Sequence, residues 1–234
     1  MKAKHLIALA LASVAGAANA NLIANGDFNA GLSGWTLQNG GSGAWYADGV
    51  GTTTPFSNHQ TSSAGGGAGT YAVTDQGGGG LHVMSQVFTV SANQQVTVEF
   101  DLFANSYGGN VIDCGVIAYN VGPCQYTMVD IVRANVNPLS RSGGDVVATL
   151  LSPFVDPLSN PNPFTSYAFD VSAFLAAGGD FRLRFAEVDN RGYLNVGVDN
   201  VSVLAESVVP EPASIALIGL GLTGLMVSRR KKQS

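Results

Sequence analysis

The chain has 234 residues, 46% hydrophobic and 12% charged, with two cysteines and a formal net charge of −5. The charge is unevenly spread: between residues 21 and 207, fifteen acidic residues face five arginines and no lysine, leaving ten net negative charges. A body this acidic is repelled by phosphate backbones, which argues against nucleic acid as a partner, and its length suits one all-β domain.

The N-terminus reads as an export signal. Lys2, Lys4 and His5 form a positive region, Leu6 to Ala15 an apolar one, and Ala18-Asn19-Ala20 an A-x-A cleavage site. Residues 1–20 are therefore expected to be a signal peptide, with the mature chain starting at Asn21.

Along the body the hydrophobic period is two. Val96, Val98, Phe100 and Leu102 alternate with Thr97, Glu99, Asp101 and Phe103, and Phe181, Leu183 and Phe185 alternate with Arg182 and Arg184, which predicts half-buried strands. Less regular runs predict further strands at Leu22 to Phe28, Tyr71 to Thr74, Val83 to Val90, Gly115 to Asn120, Tyr126 to Ala134, Val146 to Leu151, Ser166 to Val171 and Val198 to Leu204. So many short strands with no interleaved long helix predict an antiparallel β-sandwich over residues 21–207. One brief helix is expected over Val171 to Ala177, capped by Asp170 and stopped by Gly178-Gly179. The glycine clusters Gly40-Gly41, Gly65-Gly66-Gly67 and Gly77 to Gly80 read as surface loops, because no helix start follows them as a phosphate-cradling loop requires.

Cys114 and Cys124 are the only cysteines. Outside the cell an even pair ten residues apart predicts a disulfide. The other reading, a reactive or metal-binding thiol pair, lacks a nearby histidine.

Catalytic constellations are scarce. His59 and His82 are the histidines of the mature body, without a G-x-S-x-G elbow or an H-E-x-x-H helix. Paired carboxylates for a glycoside hydrolase are on offer at Glu99 with Asp101 and at Glu187 with Asp189. Both pairs have the period-two spacing of a solvated sheet face, so no catalytic residue is predicted. Aromatic residues are better candidates, since sugar rings stack on Trp and Tyr while polar neighbours bind the hydroxyls. Trp45, Tyr46, Tyr107, Tyr126 and Tyr193 are flanked by Asn, Asp, Gln and Gly and form the candidate glycan platform, the other reading of each being a partly buried packing residue; Trp35 is expected to anchor the core.

The chain ends in Pro210-Glu211-Pro212, an apolar run from Ala213 to Val227, and Arg229, Arg230, Lys231 and Lys232. An apolar helix closed by a basic cluster predicts a transmembrane anchor whose basic end stays in the cytoplasm. Its fifteen residues would span roughly 22 Å, short of the ~30 Å hydrocarbon core, which suits a temporary anchor. Residues 210–234 resemble the bacterial PEP-CTERM sorting signal in the triplet, the glycine-studded helix (Gly219, Gly221, Gly224) and the basic end. That resemblance implies recognition by an exosortase, a membrane cysteine transpeptidase, and an association with exopolysaccharide and biofilm. It also implies a Gram-negative exported protein, held in the inner membrane before processing and released to the cell surface or extracellular matrix.

The two ends of the body carry a second resemblance. Asn21-Leu22-Ile23-Ala24-Asn25-Gly26-Asp27-Phe28 with Gly31-Leu32-Ser33-Gly34-Trp35, and Gly197-Val198-Asp199-Asn200-Val201-Ser202-Val203, resemble the opening and closing strands of jelly-roll domains related to carbohydrate-binding modules. Asn29 stands where that family usually has an acid. The resemblance implies a galactose-binding-like jelly roll with its first and last strands side by side, and a structural calcium ion on Asp199 and Asp27; the other reading of Asp199 is a solvated edge carboxylate. These features point to an exported surface or matrix protein that binds glycan without catalysis. The alternatives are a structural or adhesive matrix protein without a small ligand and a secreted glycoside hydrolase.

Overall fold

A computed structural model describes residues 20–49, 51–61, 69–155 and 161–207. The expected signal peptide, transmembrane helix and sorting motif lie outside these residues, apart from Ala20. Eleven strands and one short helix follow in order: β1 (Ala20–Asn21), β2 (Thr36–Gly41), β3 (Ala44–Gly49), β4 (Thr70–Asp75), β5 (Gly80–Val90), β6 (Gln94–Ser106), β7 (Gln125–Arg133), β8 (Val146–Phe154), β9 (Thr165–Asp170), α1 (Ser172–Leu175), β10 (Gly179–Asp189) and β11 (Leu194–Ser207).

The strands form two antiparallel sheets. The first has the order β3-β4-β11-β6-β9, with β1 paired to β11; the second runs β2-β5-β10-β7-β8. From β4 to β7 and again from β8 to β11 the chain crosses from one sheet to the other at each step, the winding of a jelly roll. The expected pairing of first and last strands is present, with Ala20 opposite Ala205 and Asn21 opposite Leu204.

The period-two strands bury the faces that their pattern predicts. Val96, Val98, Phe100 and Leu102 on β6 meet Phe181, Leu183 and Phe185 on β10 in the core between the sheets. Phe100 contacts Phe185 edge-on at 5.3 Å. Trp35 stacks on Phe28 at 5.5 Å and gives its indole N–H to Asn25 O, which makes it the anchor expected of it. A second apolar cluster, with Val83, Ile117, Tyr126 and Met128, lies on the outer face of the second sheet.

Four local expectations are corrected. Leu22 to Phe28 is a chain of turns, because Asn25 and Phe28 both adopt positive φ (51° and 52°) and Asn25 spends its side-chain amide on Gly31 O and Ser33 O. Gly26 is required there: a Cβ would lie 1.9 Å from Val201 O. Gly115 to Asn120 is irregular rather than a strand, tied by the bridge Ile112–Gln125 and by the Cys114–Cys124 disulfide, whose Cα atoms are 5.3 Å apart. Gly40-Gly41, read as loop, ends β2, paired with Leu81 and Gly80 of β5. The helix is shorter than expected, and Asp170 Oδ1 accepts the Ser172 N–H and hydroxyl at its start. Among the described residues no helix is long and apolar enough to cross a membrane.

Candidate functional site

The ends of β6 and β10 and the loop after β3 converge at one end of the sandwich. Ser106 closes β6 and Tyr107 follows it; Asp189 closes β10 and Tyr193 precedes β11. The two segments are zipped together, with Tyr107 N–H donating to Tyr193 O at 2.8 Å. Beside this bond the backbones touch at Gly108 and Gly192, where a Cβ on Gly192 would come within 2.5 Å of Gly108 Cα. Asp189 Oδ1 fixes the turn by accepting the N–H groups of Arg191 at 2.9 Å and Gly192 at 3.3 Å.

The third segment brings His59. Phe56 N–H and Ser57 N–H both donate to Asp75 Oδ2 (2.5 and 3.1 Å), and Asn195 gives its amide to Asp75 Oδ1 at 3.0 Å. Burial would push the Asp75 carboxyl up, but the Phe56 and Ser57 N–H groups and the Ser57 and Thr54 hydroxyls hold it below its ordinary value. The loop so pinned lays the His59 ring on Tyr107, centroids 3.8 Å apart and planes 18° off parallel, and against Tyr193 edge-on at 4.9 Å. Tyr107 and Tyr193 remain 39% exposed, and partial burial raises the Tyr107 phenol. Three rings from three loops thus meet at the surface, with His59 half-buried between the exposed Tyr107 and Tyr193.

The other sequence candidates are placed elsewhere. Tyr46 is half-buried and leans on the exposed Phe56 at 5.9 Å. Trp45 and Tyr126 are corrections. Trp45 is 3% exposed and belongs to the core between the sheets, because the inward face of β3 carries it. Tyr126 is fully buried under the disulfide loop, its hydroxyl donating to Val116 O at 2.6 Å and its ring covered by Arg141. Burial pushes its phenol up to about 12. Neither can present a ring to a polymer.

The expected solvated acids divide. Glu99 is exposed and Asp101 half-exposed on the outer face of β6, where they accept hydrogen bonds from Ser202 and from Ser166 and Asn200. Glu187 and Asp189 are the reverse of what was expected: both are fully buried, since they continue the inward row of Phe181, Leu183 and Phe185. Burial raises both carboxyls.

Asp27 and Asp199, expected to share a calcium ion, do not line one groove. Asp27 is exposed, and Asn29 occupies its carboxylate through N–H and amide bonds of 3.3 and 2.7 Å. Asp27 lines a shallow groove with Asn21, Asn25, Gly26, Asn200 and Ser202, but Asp199 does not. Asp199 is 3% exposed rather than solvated, and its Oδ1 accepts Asn200 N–H. Among the described residues no three His, Cys, Asp or Glu side chains are grouped to hold a metal ion.

Solved structures of similar fold include a Stig cyclase from Fischerella sp. TAU (14% identity, TM-score 0.46, covering 81% of this chain and 99% of that one). They also include a family 16 carbohydrate-binding module (15% identity, TM-score 0.45, 78% of this chain and 99% of that one). A third is the enzymatically active domain of tailspike protein 4 of bacteriophage CBA120 (13% identity, TM-score 0.42, 78% of this chain). The chain spans about a fifth of the length of that tailspike, 21%. No curated protein sequence matches the chain. Residues 208–231 match the PEP-CTERM protein-sorting motif, the mark of an exported protein sorted through the membrane of a Gram-negative bacterium.

Proposed function

We propose that the chain is a surface or extracellular-matrix protein processed by an exosortase, and that its body, residues 21–207, binds polysaccharide without cleaving it. Residues 1–20 would be removed on export, and 210–234 would hold the protein in the inner membrane until processing at Pro210-Glu211-Pro212. The resemblance of the tail to sorting signals of exopolysaccharide-associated proteins supports the matrix and biofilm setting.

The observation that carries the binding reading is the platform of Tyr107, His59 and Tyr193. Ring faces stack on the apolar faces of sugars, and polar groups at the rim bind their hydroxyls. Tyr46 with Phe56 offers a second, smaller surface. The most deeply placed acids favour binding over hydrolysis. Asp189 is engaged by Gln76, Arg191 and Gly192, and Glu187 has no exposure through which a glycosidic bond could reach it. Retention of the mature body on cellulose and on β-1,3-glucan, with Tyr107→Ala and Tyr193→Ala beside the wild type, tests this reading. Retention lost in both variants supports it; no retention of the wild type on any neutral glycan leaves the structural or adhesive alternative.

A further inference from the structure

Asp75 ends β4 and Gln76 follows it, and their side chains reach different parts of the aromatic site. Asp75 Oδ2 holds the loop that carries His59 by accepting Phe56 N–H and Ser57 N–H. Gln76 Nε2 donates to Asp189 Oδ2 at 2.6 Å, at the end of β10. Asp189 Oδ1 in turn accepts Arg191 N–H and Gly192 N–H, and the next residue is Tyr193. The last link is Tyr107 N–H, which donates to Tyr193 O at 2.8 Å.

The orientation of Gln76 is fixed on every side. Its Oε1 lies 2.7 Å from His82 Nε2, and its own N–H donates to Asp75 Oδ1 at 2.9 Å. Because the Gln76 nitrogen faces a carboxylate, its oxygen must accept, so His82 Nε2 carries the proton. Gln76, His82 and Asp189 are each no more than 1% exposed. Buried polar groups cost stability unless they are bonded, and apolar side chains of the same size would fill this space without that cost. What the polar trio gains over apolar packing is a directed link from the end of β4 and from β5 to the turn before Tyr193.

We propose that Gln76 is the positioning residue of the aromatic site: by fixing Asp189 it holds the turn that presents Tyr193 to Tyr107, while its neighbour Asp75 holds His59, so that one pair of adjacent residues sets all three rings. The meaning of this positioning for glycan rests on the platform being the binding site; the positioning itself needs no ligand.

Gln76→Met tests the link, since methionine keeps the length and apolar stem of the side chain and loses both of its hydrogen bonds. Amide exchange of Arg191 should quicken by about tenfold or more, the worth of a hydrogen bond to a charged group, and the Tyr107 amide should follow it. The His59 ring protons, stacked on Tyr107 at 3.8 Å, should move toward their unstacked NMR positions. The Phe56 amide, held by Asp75, and the Phe185 amide within β10 should keep wild-type protection. Gln76→Glu combined with Asp189→Asn reverses the direction of the bond, keeps one carboxylate in the pair and leaves an oxygen for His82 Nε2, so it should restore both readouts. Unchanged Arg191 exchange and His59 signals in Gln76→Met, an equal loss of protection at Phe185, or no recovery in the exchanged pair overturns the proposal. No glycan enters these measurements, so a chain that behaves as stated yet retains neither cellulose nor β-1,3-glucan refutes the binding reading alone.

Discussion

Arg184 and Asp130 face each other across β10 and β7, both fully buried, in a two-pronged ion pair: Nε donates to Oδ1 at 2.8 Å and Nη2 to Oδ2 at 2.6 Å. The remaining prong, Nη1, donates to Pro138 O at 2.5 Å and Ser140 O at 2.7 Å. One guanidinium therefore ties the loop after β7 to the outer face of the second sheet. Such a pair gains little over apolar packing while intact, but leaves an uncompensated charge when halved.

The expected outcome is asymmetric. Asp130→Ala or Arg184→Met alone should cost about 3 to 5 kcal/mol of unfolding free energy, whereas Arg184→Met combined with Asp130→Leu should restore most of it. Urea unfolding of the three variants checks this. Equal losses in the double and single variants would show that the loop carbonyls, rather than the charge pair, dominate.

The strand pattern made the core legible, because a face buried on one side leaves a period-two trace, as along Val96 to Leu102 and Phe181 to Phe185. What a loop covers from outside leaves none. Arg184 alternates like a solvent-facing residue and is buried only because the chain near Pro138 and Ser140 crosses over it. β2 escaped notice because Gln38 to Gly41 has no strand preference and is held by its pairing with β5. At the site, Tyr107 and Tyr193 stood out as loop aromatics beside glycines. His59 belongs to no catalytic motif in the sequence, and only the folded loop anchored on Asp75 lays it between them. Trp45 and Tyr126 have similar polar flanks, but flanks do not tell which side of a strand faces the core.

The disulfide should stabilise the fold through the unfolded chain it constrains. Closing so short a loop contributes about 2 to 3 kcal/mol in the chain-entropy model. The loop also caps an apolar cluster by inserting Ile117 beside Tyr126 and Met128. Thiol titration of protein collected without reductant should find no free cysteine, and Cys114→Ser with Cys124→Ser should lower the melting temperature. An unchanged melting temperature would assign the loop's stability to Ile117 and Arg141 instead.

His82 sets an acid limit. Its folded value, lowered to about 4 from the ordinary 6.5, means that stability is complete above about pH 6.5 and declines as pH falls toward 4, where the unfolded chain takes up the proton first. The loss should reach about 3 kcal/mol, because each tenfold weakening of proton binding on folding is worth about 1.4 kcal/mol. His82→Gln should flatten the decline measured by urea unfolding between pH 7 and pH 4.5. A decline of the same size in that variant would overturn the assignment to His82; Asp75 would not account for it, because its lowered carboxyl gives stability that is present above about pH 3.8 and lost only below it.

For sorting, the expectation is removal of the tail after export. Replacing Arg229, Arg230, Lys231 and Lys232 with neutral residues should weaken membrane retention, because the charge that fixes orientation is gone. Mass spectrometry of the mature secreted protein should find no peptide from Leu217 to Leu225. Detection of that peptide in the released protein would count against processing.

The platform and the core can be separated by one pair of substitutions. If Tyr107 and Tyr193 are the sugar-facing rings, Tyr107→Ala and Tyr193→Ala should each lower affinity for a neutral glycan by about 1 to 3 kcal/mol, as for aromatic anchors in interfaces. Both rings are 39% exposed, so the melting temperature should move little. Trp45→Ala should do the opposite: it empties a core site and costs about 3 to 5 kcal/mol of stability, while affinity measured well below its melting temperature stays close to wild type. With ten net negative charges on the body, neutral glycans should be retained better than acidic ones at low salt, and the gap should narrow as salt screens the repulsion. Affinity that falls with Trp45→Ala but not with either tyrosine substitution would move the site away from Tyr107, His59 and Tyr193.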